Sequence, residues 1–375
     1  MKILPFEMER MQSTWENQVE INLSESGVHP LTVGELLGEG GDARRVLDVA
    51  LGYPQTNGTV PLRSAIASLY PGATPANIHV TNGGSEANFC ATWSLLGPDD
   101  HVVMMAPNYM QTWGLAHAFA GTVRAWPLRE RGGRWRPDVD ELRSLLTAET
   151  KLVILCNPNN PTGACFDAST LDAICREAGR YGAWVLSDEI YRGAELSGGE
   201  TPSVWGRYER AIVTSGLSKA YGLPGLRIGW IVGPQEFVAN TWACHDYTSI
   251  APGALNDRLA AYALAPETRA RILARTRRIL NANFPALSSW LSERAHLFSF
   301  VPPEAGAIVY ARYHRPVDSV TLTTRLREQK SVLIVPGGHF GMDGFLRIGF
   351  GGPPRELLEG LSRLQSMLEN AKAGA

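Results

Sequence analysis

The sequence has few of the features that mark membrane, secreted or nucleic-acid-binding proteins. Its formal net charge is −2, so charge gives no reason to expect nucleic acid or an anionic membrane as a partner. Its apolar runs are all far shorter than the roughly 18 residues that a membrane-spanning helix needs. The N-terminal stretch MKILPFEMERMQ has too few apolar residues for the core of a signal peptide. These absences predict a globular protein of the cytoplasm.

Cysteine is scarce as well. The chain has five cysteines, an odd number, and no CxxC pair, so their spacing predicts neither a metal site nor a disulfide framework. We expect all of them to be reduced thiols: Cys90, Cys156, Cys165, Cys175 and Cys244. The 44% hydrophobic and 19% charged residues are typical of a globular protein with a large core. The length of 375 residues favours two or three domains.

Short apolar runs alternate with amphipathic segments between about residues 60 and 235. The runs are too short for helices and predict buried strands: NIHVT, HVVMMA, KLVILC, AWVLS, AIVTS and RIGWIVG. Helices are predicted between them, two of them at SEANFCATWSLL and DASTLDAICREAGRYG. This alternation predicts an α/β fold with a mostly parallel sheet that is covered on both faces.

The pattern changes after about residue 260. A long helical region, PETRARILARTRRILNANFPALSSWLSE, precedes two predicted strands, AIVYARY and VLIVPG, and a closing helix, RELLEGLSRLQSMLEN. We therefore predict a large domain over residues 48–259. A smaller α+β domain would consist of residues 260–375, joined by an N-terminal arm of residues 1–47.

Residues of distinctive chemistry follow five of the predicted strands, and ligands bind at the carboxyl ends of strands in an open parallel sheet. After the first strand, Gly84 and Ser85 open a helix whose free N–H groups could hold an anion. A plain tight turn would give the same pattern. Tyr109 is the second residue after HVVMMAP and could stack on a flat ring, or lie at the rim as an ordinary aromatic.

The next two strands end in polar residues. The loop NPNNPTG is stiffened by its prolines and asparagines and holds Asn160 at a strand end. Asp188 and Tyr191 lie in the sequence DEIY, directly after AWVLS. Asp188 could be a helix N-cap, or a buried carboxylate that keeps a proton on a ring nitrogen.

The stretch TSGLSKAYGLPGLRIGW adds Ser218, Lys219 and Arg227. A lysine at a strand end among apolar neighbours would have its pKa lowered by desolvation and could act as an amine nucleophile, whereas a surface lysine is the alternative. Taken together, the five strand ends supply an anion cradle, a flat aromatic, a stiffly held amide, a carboxylate and a lysine. Pyridoxal 5′-phosphate needs this set of groups.

Four motifs resemble those of the class I and II aminotransferases, which are fold-type-I pyridoxal-phosphate enzymes: NPNNPTG, SDEIYRG, SKAYGLPGLRIG and LRIGF. The resemblance covers nearly the whole chain. It implies an enzyme that transfers an amino group from an L-amino acid to a 2-oxo acid. It also implies pyridoxal 5′-phosphate as the cofactor and a homodimer with shared active sites.

The resemblance implies a role for individual residues. Lys219 would form the Schiff base with the cofactor and move a proton, and Asp188 would pair with the ring nitrogen. The other contacts to the ring would come from Tyr109, Asn160 and Tyr191. The residues that hold the phosphate would be Gly84, Ser85, Ser218, Arg227 and, from a neighbouring subunit, Tyr53. The residues that meet the substrate would be Gly27, Asn160 and Arg347, whose guanidinium would bind the α-carboxylate.

The chain departs from the family pattern in two places. Gly216 stands three residues before the lysine, where many relatives have Ser or Thr, so that Ser215 or Ser218 would have to supply the hydroxyl. The entrance stretch SESGVHPLTVGELL is similar to cyclases of the capreomycidine synthase type, which act on hydroxylated arginine. His29 in this stretch could contact the substrate or be a rim histidine.

These departures keep a second reaction open. A lyase or cyclase that uses the same cofactor is the alternative to the aminotransferase. A non-enzymatic alternative, the ligand-sensing domain of a transcriptional regulator, is disfavoured because the sequence shows no N-terminal helix-turn-helix segment and no basic patch. A second arginine that could bind a dicarboxylate substrate is not evident.

Overall fold

The computed structural model describes residues 3–38 and 43–370, so residues 1, 2, 39–42 and 371–375 of the predicted arm and small domain lie outside the described residues. The strands, in chain order, are β1 (Ile21–Asn22), β2 (Ile78–Thr81), β3 (His101–Ala106), β4 (Thr122–Arg131), β5 (Arg134–Pro137), β6 (Thr150–Cys156), β7 (Trp184–Asp188), β8 (Ala211–Gly216), β9 (Gly229–Val232), β10 (Phe298–Phe300), β11 (Ile308–Tyr313), β12 (Val332–Leu333), β13 (Val335–Pro336) and β14 (Phe345–Gly349). The helices are α1 (Glu7–Trp15), α2 (Val33–Leu37), α3 (Ala43–Leu47), α4 (Val60–Ala67), α5 (Gly84–Leu95), α6 (Met110–Phe119), α7 (Val139–Leu145), α8 (Ala168–Gly179), α9 (Gln235–His245), α10 (Ala254–Ala263), α11 (Pro266–Ser292), α12 (Ser319–Lys330) and α13 (Pro354–Asn370).

The main sheet has the strand order β2-β9-β8-β7-β6-β3-β4-β5 in the described part of the chain. Its central strands, from β8 to β4, pair in parallel, whereas β9 runs antiparallel to both neighbours and β5 runs antiparallel to β4. All six predicted strands are present, so the α/β fold with a mostly parallel sheet is confirmed. The edge strand β5 and its neighbour β4 were not predicted, because TVRAWPLRER and RWRP carry many charged residues and form no continuous apolar run.

Helices cover both faces of this sheet and bury its central strands. Every residue of β8 is buried, and two clusters of buried apolar side chains lie on the two faces. In α8 the predicted apolar face is correct, because Leu171, Ile174 and Ala178 are all fully buried. The side chain of Asp167 caps the start of α8 by accepting a hydrogen bond from the Thr170 N–H, which fixes where the helix begins.

A second, antiparallel sheet has the order β10-β11-β14-β13. The long helix α11 and the closing helix α13 lie where the sequence predicts them. The stretch VLIVPG was predicted as one strand, and this is wrong. It is divided into β12, which pairs in parallel with β1 of the arm, and β13, which pairs with β14. The domain limits at residues 48 and 259 stay a prediction.

Among the helices of the described residues, none combines the length and the apolar character that crossing a bilayer requires.

Candidate active site

A cavity of about 670 Å³ opens at the carboxyl ends of the central strands. Its walls come from the N-terminal arm, from the main sheet and from the segment around β14. The residues predicted for the site that line this cavity are Gly27, His29, Gly84, Ser85, Tyr109, Asn160, Asp188, Tyr191, Ser218, Lys219, Arg227 and Arg347. Tyr53 is the exception, because its side chain is 85% exposed and is not part of the cavity wall.

Asp188 is the last residue of β7 and is 8% exposed. Burial raises the pKa of its carboxyl, and hydrogen bonds from Asn88 and from the backbone of Ile190 act in the opposite direction. Asn88 Nδ2 donates to Asp188 Oδ2 at 3.1 Å, and the Ile190 N–H donates to Oδ1, also at 3.1 Å. A turn follows Asp188 instead of a helix, so the N-cap alternative is wrong. The carboxylate is held by its neighbours and faces the cavity.

Asn88 is itself held in place. The hydroxyl of Thr214, on β8, donates to Asn88 Oδ1 at 2.6 Å. Asn88 and Thr214 are both fully buried or nearly so. Because its carbonyl oxygen is engaged by Thr214, the amide of Asn88 must present its NH₂ group to Asp188, and this orientation stabilises the ionised carboxylate.

Lys219 follows β8 and is 27% exposed toward the cavity. Its Nζ lies 3.6 Å from Glu25 Oε2, and the positive charge of Lys219 lowers the pKa of Glu25. The apolar surroundings expected for Lys219 are therefore only part of its environment. On the other side, the arm packs closely, since a Cβ on Gly27 would lie 3.4 Å from Lys219 Cα. A lysine so enclosed is not an ordinary surface lysine.

Arg347 lies in the middle of β14 and is only 1% exposed. Nη1 donates to Asn160 Oδ1 at 3.1 Å and Nη2 donates to the Ser24 carbonyl at 2.6 Å. Its Nε has no hydrogen-bond acceptor among the described residues. Burial lowers the pKa of the guanidinium. A buried guanidinium on a cavity wall, with N–H groups beyond those that bind Asn160 and Ser24, is suited to binding a carboxylate.

An anion cradle is formed where β2 leads into α5. Gly83 precedes the helix with φ of +96°, a left-handed conformation, and the N–H groups of the first turn of α5 have no partners within the helix. Arg227 lies against this turn, because a Cβ on Gly83 would be 2.4 Å from Arg227 Nη2. The positive end of the helix and a guanidinium thus meet on the same wall of the cavity.

Gly216 has a steric reason to be glycine. A Cβ at this position would be 2.7 Å from the Ile228 carbonyl oxygen, so a Ser or Thr would clash with the backbone of the neighbouring strand. Of the two candidates for the missing hydroxyl, Ser215 donates its hydroxyl to the Glu189 carbonyl at 3.2 Å. Ser218 lines the cavity. The geometry therefore favours Ser218 over Ser215.

The two predicted tyrosines both contact the N-terminal arm. Tyr191 is buried and donates its hydroxyl to Ser26 Oγ at 2.8 Å. Tyr109 precedes α6 and donates its hydroxyl to Glu9 Oε1 at 2.9 Å, and its ring meets the Phe6 ring edge-on at 5.1 Å. Burial raises the pKa of both hydroxyls above the usual tyrosine value. Both tyrosines are therefore protonated donors at neutral pH.

His29 lies on the cavity wall near the opening. Its Nδ1 is 3.2 Å from the Gly351 carbonyl oxygen. Because a carbonyl oxygen can only accept, Nδ1 must carry the proton in this contact, which leaves Nε2 as the free nitrogen.

Several residues of the site were missed from the sequence. They are polar residues on the walls of the cavity or in contact with its chemical groups: Glu9, Glu16, Glu25, Ser26 and Asn88. Spacing could have found some of them. Asn88 lies four residues after Gly84, on the same face of α5. Glu9 and Glu16 lie seven residues apart, two turns of a helix, and so share one face.

Comparison with known proteins agrees with this geometry. The model of the family described as aminotransferase class I and II matches residues 44–364. The chain belongs to this family. It is 32% identical to capreomycidine synthase of Streptomyces vinaceus over 94% of this chain and 90% of that protein. A solved structure of a PLP-dependent aminotransferase from Streptococcus suis superposes with a TM-score of 0.92 at 31% identity, covering 99% of both chains. The PLP-dependent cyclase OrfR superposes with a TM-score of 0.86 at 26% identity, covering 99% of this chain and 98% of that one.

Membership of the aminotransferase family implies pyridoxal 5′-phosphate as the cofactor, and the donor set of the cavity fits this molecule. The cradle at the start of α5, with Arg227, suits a phosphate. The carboxylate of Asp188 suits a protonated ring nitrogen, and the amine of Lys219 suits an aldehyde. The volume of the cavity lies within the range of cofactor sites.

Proposed function

We propose that this chain is a pyridoxal-phosphate-dependent aminotransferase, which moves the amino group of an L-amino acid to a 2-oxo acid. One observation carries the proposal: a single cavity brings together the amine of Lys219, the buried carboxylate of Asp188 and the buried guanidinium of Arg347. When bound, pyridoxal 5′-phosphate supplies an aldehyde that condenses with amino groups and a protonated ring that withdraws electrons.

Lys219 would have two tasks. Its Nζ would hold the cofactor covalently until an amino acid takes that place, and the freed amine would then accept the proton from the substrate Cα. Asp188 would keep the ring nitrogen protonated, since the hydrogen bonds from Asn88 and the Ile190 N–H favour its charged form despite burial. Arg347 would fix the α-carboxylate of the substrate through the N–H groups of its guanidinium that Asn160 and Ser24 do not use.

The remaining predicted residues would position the cofactor. Tyr109 would stack on the ring, and Tyr191 and Asn160 would contact the ring oxygen. Asn160 is oriented for this because its Oδ1 already accepts from Arg347, so that its NH₂ group is left to donate. The residues that would hold the phosphate are Gly84, Ser85, Ser218 and Arg227. Gly27 would leave room for the substrate beside Lys219.

Assembly and location are part of the same proposal. The exposed side chain of Tyr53 fits a role outside its own subunit, where it would reach the phosphate of a partner in a homodimer. All five cysteines are free thiols, which supports a reducing, cytoplasmic compartment. The substrates would be small amino and 2-oxo acids, with no nucleic acid or membrane as a partner.

A cyclase or lyase is the second candidate. The observation that favours it is the similarity to capreomycidine synthase over 94% of this chain, together with the likeness to the cyclase OrfR. Such an enzyme would use the same residues to remove the proton at Cα. It would differ in the step after proton removal, because a substituent of the side chain would leave and the cofactor would return to its starting form.

A single-turnover experiment separates the two candidates. The enzyme loaded with pyridoxal 5′-phosphate is mixed with a panel of L-amino acids and no 2-oxo acid. An aminotransferase stops after one equivalent of 2-oxo acid per site, because no 2-oxo acid is present to take the amino group from the enzyme. Continued turnover, with ammonia, a leaving group or a cyclised product accumulating, would contradict the aminotransferase proposal. The Lys219→Ala variant is the control and should give neither result.

A further inference from the structure

Three carboxylates of the N-terminal arm line the cavity that holds Lys219 and Arg347. They are Glu9 on α1, Glu16 directly after α1, and Glu25 in the stretch before Gly27. We call Glu9, Glu16 and Glu25 the carboxylate trio. They lie close enough to influence one another, since burial and the charges of Glu25 and Glu9 raise the pKa of Glu16. Three negative charges gathered on one cavity wall need an explanation.

The trio has few partners of its own. Glu9 accepts a hydrogen bond from the neutral Tyr109 hydroxyl at 2.9 Å, and neither Glu9 nor Glu16 forms an ion pair with a described residue. Glu25 has one cationic neighbour within 4 Å among the described residues, the Lys219 amine at 3.6 Å. In the proposed function Lys219 is joined to the cofactor before the substrate binds, so Glu25 then has no free lysine ammonium beside it.

A second observation shows that the same cavity is built to bind a charged ligand. Arg347 is only 1% exposed and lines the cavity, and two of its five N–H groups donate to described residues, which leaves further N–H groups for a ligand. The negative charges of Glu25 and Glu9 act on this guanidinium, so the trio and Arg347 belong to one electrostatic environment. A ligand held by its carboxylate at Arg347 is therefore within the field of the trio.

The other charges of the site each have a complement in the proposed function. Arg227 and the start of α5 would face the phosphate, Asp188 the ring nitrogen, and Arg347 the α-carboxylate. The carboxylate trio has no complement of this kind. A substrate with an acidic side chain would be repelled, and an apolar one would give the negative charges of the trio no cationic partner.

We infer that the carboxylate trio is the subsite for the positively charged end of the substrate side chain, so that the enzyme selects a cationic L-amino acid. This inference rests on the proposed function, because that function places the α-amino and α-carboxylate groups at Lys219 and Arg347. The side chain would then extend toward the arm, and Glu16, which has no ion-pair partner among the described residues, would be free to receive an ammonium or guanidinium group.

The test compares L-arginine with L-citrulline, which has nearly the same shape but no charge. Binding to the cofactor-loaded enzyme is followed by the absorption of the bound cofactor and, independently, by calorimetry. We expect arginine to bind at least about tenfold more tightly than citrulline at low salt. This ratio should fall several-fold in Glu16→Gln and as ionic strength rises. Glu7→Gln is the matched control, because Glu7 is on α1 but does not line the cavity, and its ratio should stay unchanged.

The outcomes separate the inference from the proposed function. The subsite would be overturned if the unmodified enzyme bound arginine and citrulline equally well, or bound L-glutamate more tightly than arginine. It would also be overturned if the ratio of arginine to citrulline affinity stayed unchanged in both Glu16→Gln and Glu25→Gln. A preference for arginine in the calorimeter without any change in cofactor absorption would support the subsite and contradict the proposed function. The comparison on the unmodified enzyme decides the question even if a variant fails to fold.

Discussion

Replacing Asn88 tests whether a neighbouring hydrogen bond sets the ionisation of the Asp188 carboxyl. Its NH₂ group donates to Asp188 at 3.1 Å, and its carbonyl oxygen accepts from Thr214 at 2.6 Å. Replacement by leucine, in Asn88→Leu, keeps a similar volume and removes the donor. The carboxylate of Asp188 would keep the backbone hydrogen bond from Ile190 and would remain buried.

The size of the effect depends on the charge of the acceptor. A hydrogen bond to a charged group contributes about 1.5–3 kcal/mol, and one pKa unit corresponds to about 1.4 kcal/mol. Because the bond stabilises the ionised form, its loss should raise the pKa of Asp188. Burial already raises this pKa, so the two effects have the same sign in the variant. The carboxylate would then be protonated at a higher pH.

The assay is the pH dependence of kcat/KM, whose acid limb reports groups that must be ionised in the free enzyme. In Asn88→Leu this limb should move to higher pH, and the affinity for pyridoxal 5′-phosphate should fall. Thr214→Val is the matched control, since it removes the support for Asn88 but keeps the bond to Asp188, and it should move the limb less. If Asn88→Leu folds normally and its acid limb stays in place, Asn88 does not set the ionisation of Asp188.

Two further predictions concern packing and assembly. Gly216→Ser would bring a Cβ within 2.7 Å of the Ile228 carbonyl oxygen and should lower the free energy of unfolding, measured in urea, by about 1–3 kcal/mol. Gly199→Ser is the control, because no atom of the described residues lies within 4 Å of the Cβ added there. Equal stability of the two variants would refute the steric explanation. If Tyr53 acts across a dimer, mixed dimers of Tyr53→Ala and Lys219→Ala subunits should regain activity, because one of their two sites has both residues. Hybrids no more active than the separate variants, or an active monomer in sedimentation, would count against the shared site.

The chemical centre of the site could be predicted because its residues directly follow strands. Asp188 and Lys219 come after short apolar runs, and a parallel sheet brings the carboxyl ends of its strands to one edge. The edge strand β5 and its neighbour β4 lack such runs and were missed. The stretch VLIVPG has the composition of one strand but is shared between two sheets, and this division depends on pairing with β1, at the opposite end of the chain.

The contacts that were missed join distant parts of the chain. Asn88 and Asp188 are 100 residues apart, Ser26 and Tyr191 are 165 apart, and Ser24 and Arg347 are 323 apart. No local pattern specifies such a pair, because each member alone is an ordinary polar residue. The contacts of Ser24 and Ser26 exist because the arm crosses the mouth of the cavity, whereas the contact of Asn88 with Asp188 joins α5 to β7.

The arm also explains why the family motifs leave the reaction open. Three consecutive residues of the entrance stretch each touch a different chemical group: the Ser24 carbonyl accepts from Arg347, Glu25 faces the Lys219 amine, and the Ser26 hydroxyl accepts from Tyr191. A change in this stretch would therefore reach the groups proposed to bind the carboxylate, the proton and the ring, while the motifs themselves stay the same. The step proposed to follow removal of the Cα proton should therefore depend on the arm, and the arm is the part of this chain in which a difference between an aminotransferase and a cyclase should be sought.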